Sequence, residues 1–179
     1  YNMVQELVPG GTFLFNTQWT VDELDEKLPG QVKRYIAEND INFYIIDGVK
    51  IGKEIGLGNR INTVLQSAFF SLTKLIPEEE VIKLMKDAAT KSYSKKGDDI
   101  VKMNHDAIDQ GATAYIKVDV PASWKDCKDD DLTTPIPEGG RKEVVDFVKN
   151  IQSKVNGQQG NTIPVSVTRE YETGWTPSG

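Results

Sequence analysis

The residues with the clearest capacity for chemistry lie between Gly56 and Phe70, in the run Gly-Leu-Gly-Asn-Arg-Ile-Asn-Thr-Val-Leu-Gln-Ser-Ala-Phe-Phe. Two glycines punctuate a loop that turns into a long amphipathic helix opening on amides and an arginine. Unpaired backbone N–H groups at a helix start, with the positive end of its dipole, form an anion site before any side chain contributes. Asn59, Asn62 and Gln66 follow at i, i+3 and i+7 and share one stripe, while Ile61, Leu65, Phe69, Leu72 and Ile76 line another. The pattern suits a phosphorylated ligand on the amide stripe and packing on the apolar one.

Each of these residues also has an ordinary explanation. Asn59 follows a glycine and suits an N-cap as well as a ligand contact. Arg60 lies about a quarter-turn from the amide stripe, placed either to bind phosphate or to pair with a carboxylate. Asn62 is expected one turn inside the helix, where asparagine is an indifferent helix former and needs a partner. Asn104 is the second unusual amide. Ile100 and Val101 precede it and Ala107 and Ile108 follow at helical spacing, so it sits in the middle of an apolar stripe. An unbonded polar group there costs about 1–3 kcal/mol, so Asn104 must bond backbone, water or a ligand. Asn16 and Asp47 close the first two strands at their carboxyl ends, where open parallel sheets place ligands, and both suit turn caps equally well. No G-x-G-x-x-G or Walker pattern is present.

Composition narrows the chemistry further. With 21 Lys+Arg against 27 Asp+Glu, the formal net charge of −6 argues against nucleic acid or an anionic membrane as the main partner. One cysteine, Cys127, excludes an intramolecular disulfide and cannot by itself hold zinc or an iron–sulfur cluster; the expected compartment is reducing and cytoplasmic. The one histidine, His105, is expected on a helix surface and leaves no His pair for a metal. The acidic run Asp129 to Asp131 suits a solvated loop better than a cation site. No apolar run approaches the ~20 residues that cross a bilayer.

The elements that must position these residues read as an α/β fold, a small, mostly parallel sheet flanked by helices. Tyr1 to Val8 suits the last turns of a helix, and Thr12 to Phe15 is a short apolar strand. Thr20 with Glu23 forms a capping box for a helix over 21–28, and a second helix spans 32–38. Asn42 to Asp47, with Phe43, Tyr44, Ile45 and Ile46 in a row, is the strongest strand signal, apolar enough for burial on both faces, and strand, helices, strand implies a parallel crossover. Helices follow over 49–55, to about Ile76, from Pro77 to about Tyr93, and from an Asp98 cap to about Gln110, with a third strand over 114–118. A surface excursion is expected at about 121–140 and an amphipathic helix over 139–156. The expected organisation is one domain over 1–157 and a linker of Gln, Gly, Asn and Thr over 158–179.

The segments 10–19 (GGTFLFNTQW), 32–37 (VKRYIA), 56–62 (GLGNRIN), 66–70 (QSAFF), 93–97 (YSKKG) and 101–104 (VKMN) closely resemble pyruvate:ferredoxin (flavodoxin) oxidoreductase, in order and over nearly the whole chain. The resemblance is to the gamma-type domain, the third domain of the single-chain enzymes, entered partway through. It implies an enzyme that oxidatively decarboxylates pyruvate with thiamine diphosphate and magnesium, passes electrons through iron–sulfur clusters to ferredoxin or flavodoxin, and delivers the acetyl group to coenzyme A, with a homodimeric parent. It places thiamine diphosphate and the clusters in other domains and associates this one with coenzyme A. The family's asparagines in the Asn-Arg-Ile-Asn and Val-Lys-Met-Asn motifs correspond here to Asn62 and Asn104, joined by Arg60 and Asn59 as further candidates. The glycine-rich loop and lysine that complete that site in the family would precede Tyr1, so the fragment alone is expected to be inactive. The competing expectation is an interdomain scaffold in which these amides only satisfy caps and backbone.

Overall fold

Two strands rich in aromatic and β-branched residues set the centre of the fold. In the computed structural model, which describes residues 3–58, 60–131, 135 and 138–177, β1 (Thr12–Asn16) and β2 (Asn42–Ile46) pair in parallel over five residues, from Thr12 opposite Asn42 to Asn16 opposite Ile46. A two-residue strand, β3 (Ile116–Lys117), pairs antiparallel with the other edge of β2, giving a mixed sheet of order β1-β2-β3. The third strand is shorter than the five residues its apolar pattern suggests, and runs the other way. An apolar run encodes burial but not direction.

The period-2 alternation of the strands divides the core into two faces. Phe13, Phe15, Phe43 and Ile45 point to one face, where they meet Leu24 of α1 (Val21–Lys27), Ile36 and Ala37 of α2 (Gly30–Glu38), and Val4 and Leu7 at the start of the chain. Leu14 and Ile46 point to the other, against Ile51 of α3 (Gly48–Glu54), Val64 and Ala68 of α4 (Asn62–Thr73) and Ala107 of α6 (Asp98–Gly111). Helix α5 (Glu78–Tyr93) lies between α4 and α6 in sequence, with Glu78, Glu79 and Glu80 complementing its dipole. The Thr20 hydroxyl accepts from the Glu23 N–H at 3.3 Å, as the capping box requires.

Several local expectations shift. A 3₁₀ turn over Met3–Glu6 stands where the end of an α-helix was expected. The N-cap before α6 is Gly97, at φ 110°, and Asp98 becomes the first helical residue. Helix α4 ends at Thr73 instead of Ile76, because Lys74 turns left-handed at φ 49° and Ile76 precedes Pro77, a position that disfavours helix.

The larger change concerns which face of α4 packs. Its buried residues are Val64, Ser67, Ala68 and Ser71, whereas Phe69, of the stripe expected to pack, is 53% exposed, and Ile76 is exposed beyond the helix. Within the stretch expected as a surface excursion, Trp124 is 2% exposed and its ring lies tilted against Phe43, with its indole N–H donating to Asp25 Oδ1 at 2.7 Å.

The described structure falls into two compact units, Val4–Asp129 and a smaller one made chiefly of the residues from Asp130 onward. In the second, helical backbone runs from Lys142 to Asn156 as α7 (Lys142–Phe147), a π-helical stretch (Val148–Gln152) and α8 (Ser153–Asn156). A short α9 (Val165–Thr168) follows, and the Tyr171 ring meets Phe147 edge-on at 5.1 Å. Asn59 and most of the loop over 132–137 lie outside the described residues.

Candidate functional site

Small side chains build the ground on which the candidate residues stand. A Cβ added at Gly111 of α6 would lie 2.4 Å from the Val64 carbonyl oxygen and 2.9 Å from Ser67 Cβ, so α4 and α6 cross at backbone contact. The Ser67 hydroxyl spans the crossing and donates to the Ile108 carbonyl at 2.5 Å. The loop before α4 is held similarly: Leu57 and Gly58 N–H both donate to the Gly52 carbonyl, at 2.8 and 3.1 Å, and a Cβ at Gly52 would meet the Gly58 oxygen at 2.7 Å. Gly56 and Gly58 take φ of +86° and +61° in the turn that results.

This turn delivers the chain into α4 at Asn62, the first helical residue and not one turn inside, as the amide pattern suggested. Ile61 stands at the N-cap and supplies no side-chain hydrogen bond, so the first N–H groups of α4 have no side-chain acceptor there. Asn62 and Gln66 are exposed one turn apart on the same face. Arg60 is exposed beside them, and its guanidinium pairs with no described carboxylate.

Asn104 occupies the opposite kind of environment. It is 3% exposed within the α4–α6 contact, donates from Nδ2 to the Ile100 carbonyl at 2.8 Å, and accepts at Oδ1 from the Thr63 hydroxyl at 3.2 Å. The sequence requirement that this buried amide find a partner is met from within the chain. One N–H and one lone pair of the carboxamide remain. The structure thus brings Asn104 to the first turn of α4 through Thr63, the residue next to Asn62, while Asn62 itself faces solvent. Thr63 is the residue that sequence reasoning missed. Its only signal was adjacency to Asn62.

The strand-end residues act as caps. Asn16 Oδ1 accepts from Gly48 N–H at 3.0 Å and Asp47 Oδ1 from Lys50 N–H at 2.9 Å, fixing the β2–α3 turn from both strands. His105 bridges α5 and α6, with Nε2 2.8 Å from Thr90 Oγ1 and 3.1 Å from the Lys86 carbonyl oxygen. Among the described residues no cluster of His, Cys, Asp or Glu could hold a metal ion, and no helix is long and apolar enough to cross a membrane. Burial, and further the charge of Glu78 and of Tyr44, pushes the Tyr115 phenol above the ordinary tyrosine pKa.

Comparison with known proteins gives this arrangement its context. The family described as pyruvate ferredoxin/flavodoxin oxidoreductase matches residues 1–114. A pyruvate-flavodoxin oxidoreductase of Enterobacter agglomerans is 43% identical over all of this chain, which covers 15% of that protein. A pyruvate:ferredoxin oxidoreductase of Moorella thermoacetica is 40% identical, again over the whole chain and 14% of its own length. A pyruvate dehydrogenase [NADP(+)] of Cryptosporidium parvum is 36% identical, with 10% of it covered. The chain therefore spans about a seventh or less of these relatives, and it belongs to the pyruvate ferredoxin/flavodoxin oxidoreductase family.

Proposed function

We propose that this chain is a segment of an enzyme that oxidatively decarboxylates pyruvate, transfers the acetyl group to coenzyme A and reduces ferredoxin or flavodoxin, and that the segment supplies part of the coenzyme A pocket. The observation that carries the reading is the first turn of α4: N–H groups to which Ile61 at the N-cap offers no side-chain acceptor, flanked by exposed Asn62 and by exposed Arg60, which forms an ion pair with no described carboxylate. Such a turn suits a phosphate or pyrophosphate group, and an exposed carboxamide can both donate to phosphate oxygens and pair with a ligand amide. Asn104, with Thr63, holds that turn against α6 and keeps one N–H for the ligand. Asn59, which precedes Arg60 in sequence, is a further candidate.

Thiamine diphosphate, magnesium and the iron–sulfur clusters belong to other parts of the parent in this reading. Cys127, a single thiol, cannot by itself ligate an iron–sulfur cluster. The parent is read as a cytoplasmic homodimer, and the segment as inactive by itself. Acyl transfer would call on the residues of this segment to bind and orient the nucleotide end of coenzyme A, leaving the reacting thiol to be placed elsewhere.

A second reading has its own support: both ends of the Asn104 amide are used within the chain, as a purely structural interdomain scaffold would have it. The full-length enzyme decides. Asn62→Ala and Asn104→Ala are expected to raise the apparent KM for coenzyme A by roughly tenfold each, the loss of one hydrogen bond to a charged group. An unchanged KM in both variants establishes the scaffold.

A further inference from the structure

The outer side of β1 is built like the inside of a sheet. Gly11 accepts from Asn42 N–H, and Thr17 N–H donates to Ile46, so the odd-numbered residues of this strand turn their backbone groups toward β2. By alternation, Thr12, Leu14 and Asn16 turn theirs to the open edge, where no described residue pairs with them. The side chains of the same three residues line a groove of about 500 Å³ whose far wall is Leu65, Phe69 and Leu72 of α4. The stripe of α4 expected to pack therefore faces this groove. Natural edge strands carry charge, proline or a bulge against stray pairing. The Thr-Phe-Leu-Phe-Asn sequence of β1 carries no charge and no proline.

Topology says which strand would fill the place. The crossover from β1 to β2 runs through α1 and α2 on the face that holds Leu24, Ile36 and Phe43. The 3₁₀ turn preceding β1 packs Val4 and Leu7 on that same face. Parallel crossovers are right-handed in nearly all proteins, so two successive crossovers on one face advance across the sheet in one direction. A strand feeding the turn at Met3–Glu6 then lies beside β1 on the side away from β2.

We infer that β1 is an interior strand of the parent enzyme, paired in parallel along Thr12, Leu14 and Asn16 by an extended segment from upstream of Tyr1, whose apolar side chains seat between Leu14 and the Leu65–Phe69–Leu72 wall. The occupant is main chain of the same polypeptide. The inference rests on the reading of this chain as a segment of a longer enzyme, consistent with relatives of which it covers 15% or less.

The test uses the full-length protein with p-benzoylphenylalanine in place of Phe69, prepared as a mixture of isotopically light and heavy chains and irradiated. The expected product joins position 69 to an upstream peptide of the same isotopic label. A light–heavy crosslink, identifying a second copy, overturns the inference, and so does a crosslink to a downstream segment or insertion into solvent alone. Hydrogen exchange in the unsubstituted enzyme provides a second measurement. Leu14 and Asn16 amides are expected to exchange at least about 100-fold more slowly than in an unstructured peptide, and rates within a few-fold of the peptide's overturn the inference. Coenzyme A-dependent turnover of pyruvate by the same preparation reads out the functional proposal separately. A misplaced crosslink in an active enzyme defeats only the strand.

Discussion

The Thr63 hydroxyl donates to Asn104 Oδ1 at 3.2 Å across 41 positions of sequence, joining the first turn of α4 to the middle of α6. Because Nδ2 of the same amide is bound to the Ile100 carbonyl, the orientation of the carboxamide is fixed from both ends. Thr63→Val removes the donor while nearly keeping the volume, leaving Oδ1 unpaired in a buried site at a cost of about 1–3 kcal/mol. The expected outcome is faster amide exchange in α4 and α6, with a coupling on the order of 1 kcal/mol in a double-mutant cycle with Asn104→Ala. Additive effects would mean that the hydrogen bond contributes nothing.

Gly111 is irreplaceable for steric reasons. Its added Cβ would press into the Val64 carbonyl at 2.4 Å, so Gly111→Ala must separate the two helices or bend them. A loss of about 1–3 kcal/mol is expected in chemical denaturation followed by circular dichroism. Gly140→Ala serves as the control, since its added Cβ meets only a Val145 methyl at 3.4 Å. Equal effects of the two substitutions would show that the close crossing is not what Gly111 provides.

Asp25→Ala strands the indole N–H of Trp124, a residue almost wholly enclosed by the core around Phe43. Destabilisation of about 1–3 kcal/mol is expected. Asp25→Asn keeps an acceptor oxygen and is expected to restore most of it. Lys33 also loses its carboxylate at 3.6 Å, and because Asp25 is well exposed that contact adds little.

Alkaline pH acts on Tyr115, which meets the Tyr44 ring edge-on at 5.8 Å. Burial, then Glu78 and Tyr44, hold its pKa above the ordinary tyrosine value in the folded protein. The unfolded chain releases this proton first, so the stability contributed by Tyr115 is intact below the ordinary value and declines as pH rises through the folded one. Tyr115→Phe is expected to flatten the alkaline fall in thermal midpoint. An identical pH profile in the variant would assign that fall to other groups.

Much of this architecture is legible in the sequence because periodicity reports burial. The apolar run at Phe43–Ile46 gave a strand covered on both faces, and the helical spacing around Asn104 placed that amide inside a contact before any partner was visible. Periodicity is weaker at choosing between two faces of one helix. Leu65 and Phe69 outweigh Ser67 and Ala68 in hydrophobicity, yet the smaller pair is buried, because only small side chains allow the backbone of α4 to meet Gly111. Trp124 escaped notice because charged residues follow it in sequence, and an isolated large aromatic in such a stretch was the available signal. Of the candidate site, the residue types and the loop were legible. The helix start at Asn62 was not, since Gly58 and Ile61 stand where a cap could be drawn at several positions.

The tight crossing of α4 and α6 also constrains how such a protein can drift. Its inner face admits almost no variation in size, while Asn62 and Gln66, standing outside it, can be exchanged without any neighbour having to move. Natural selection could therefore change the outer side chains at the start of α4 one at a time, on a scaffold that stays the same underneath.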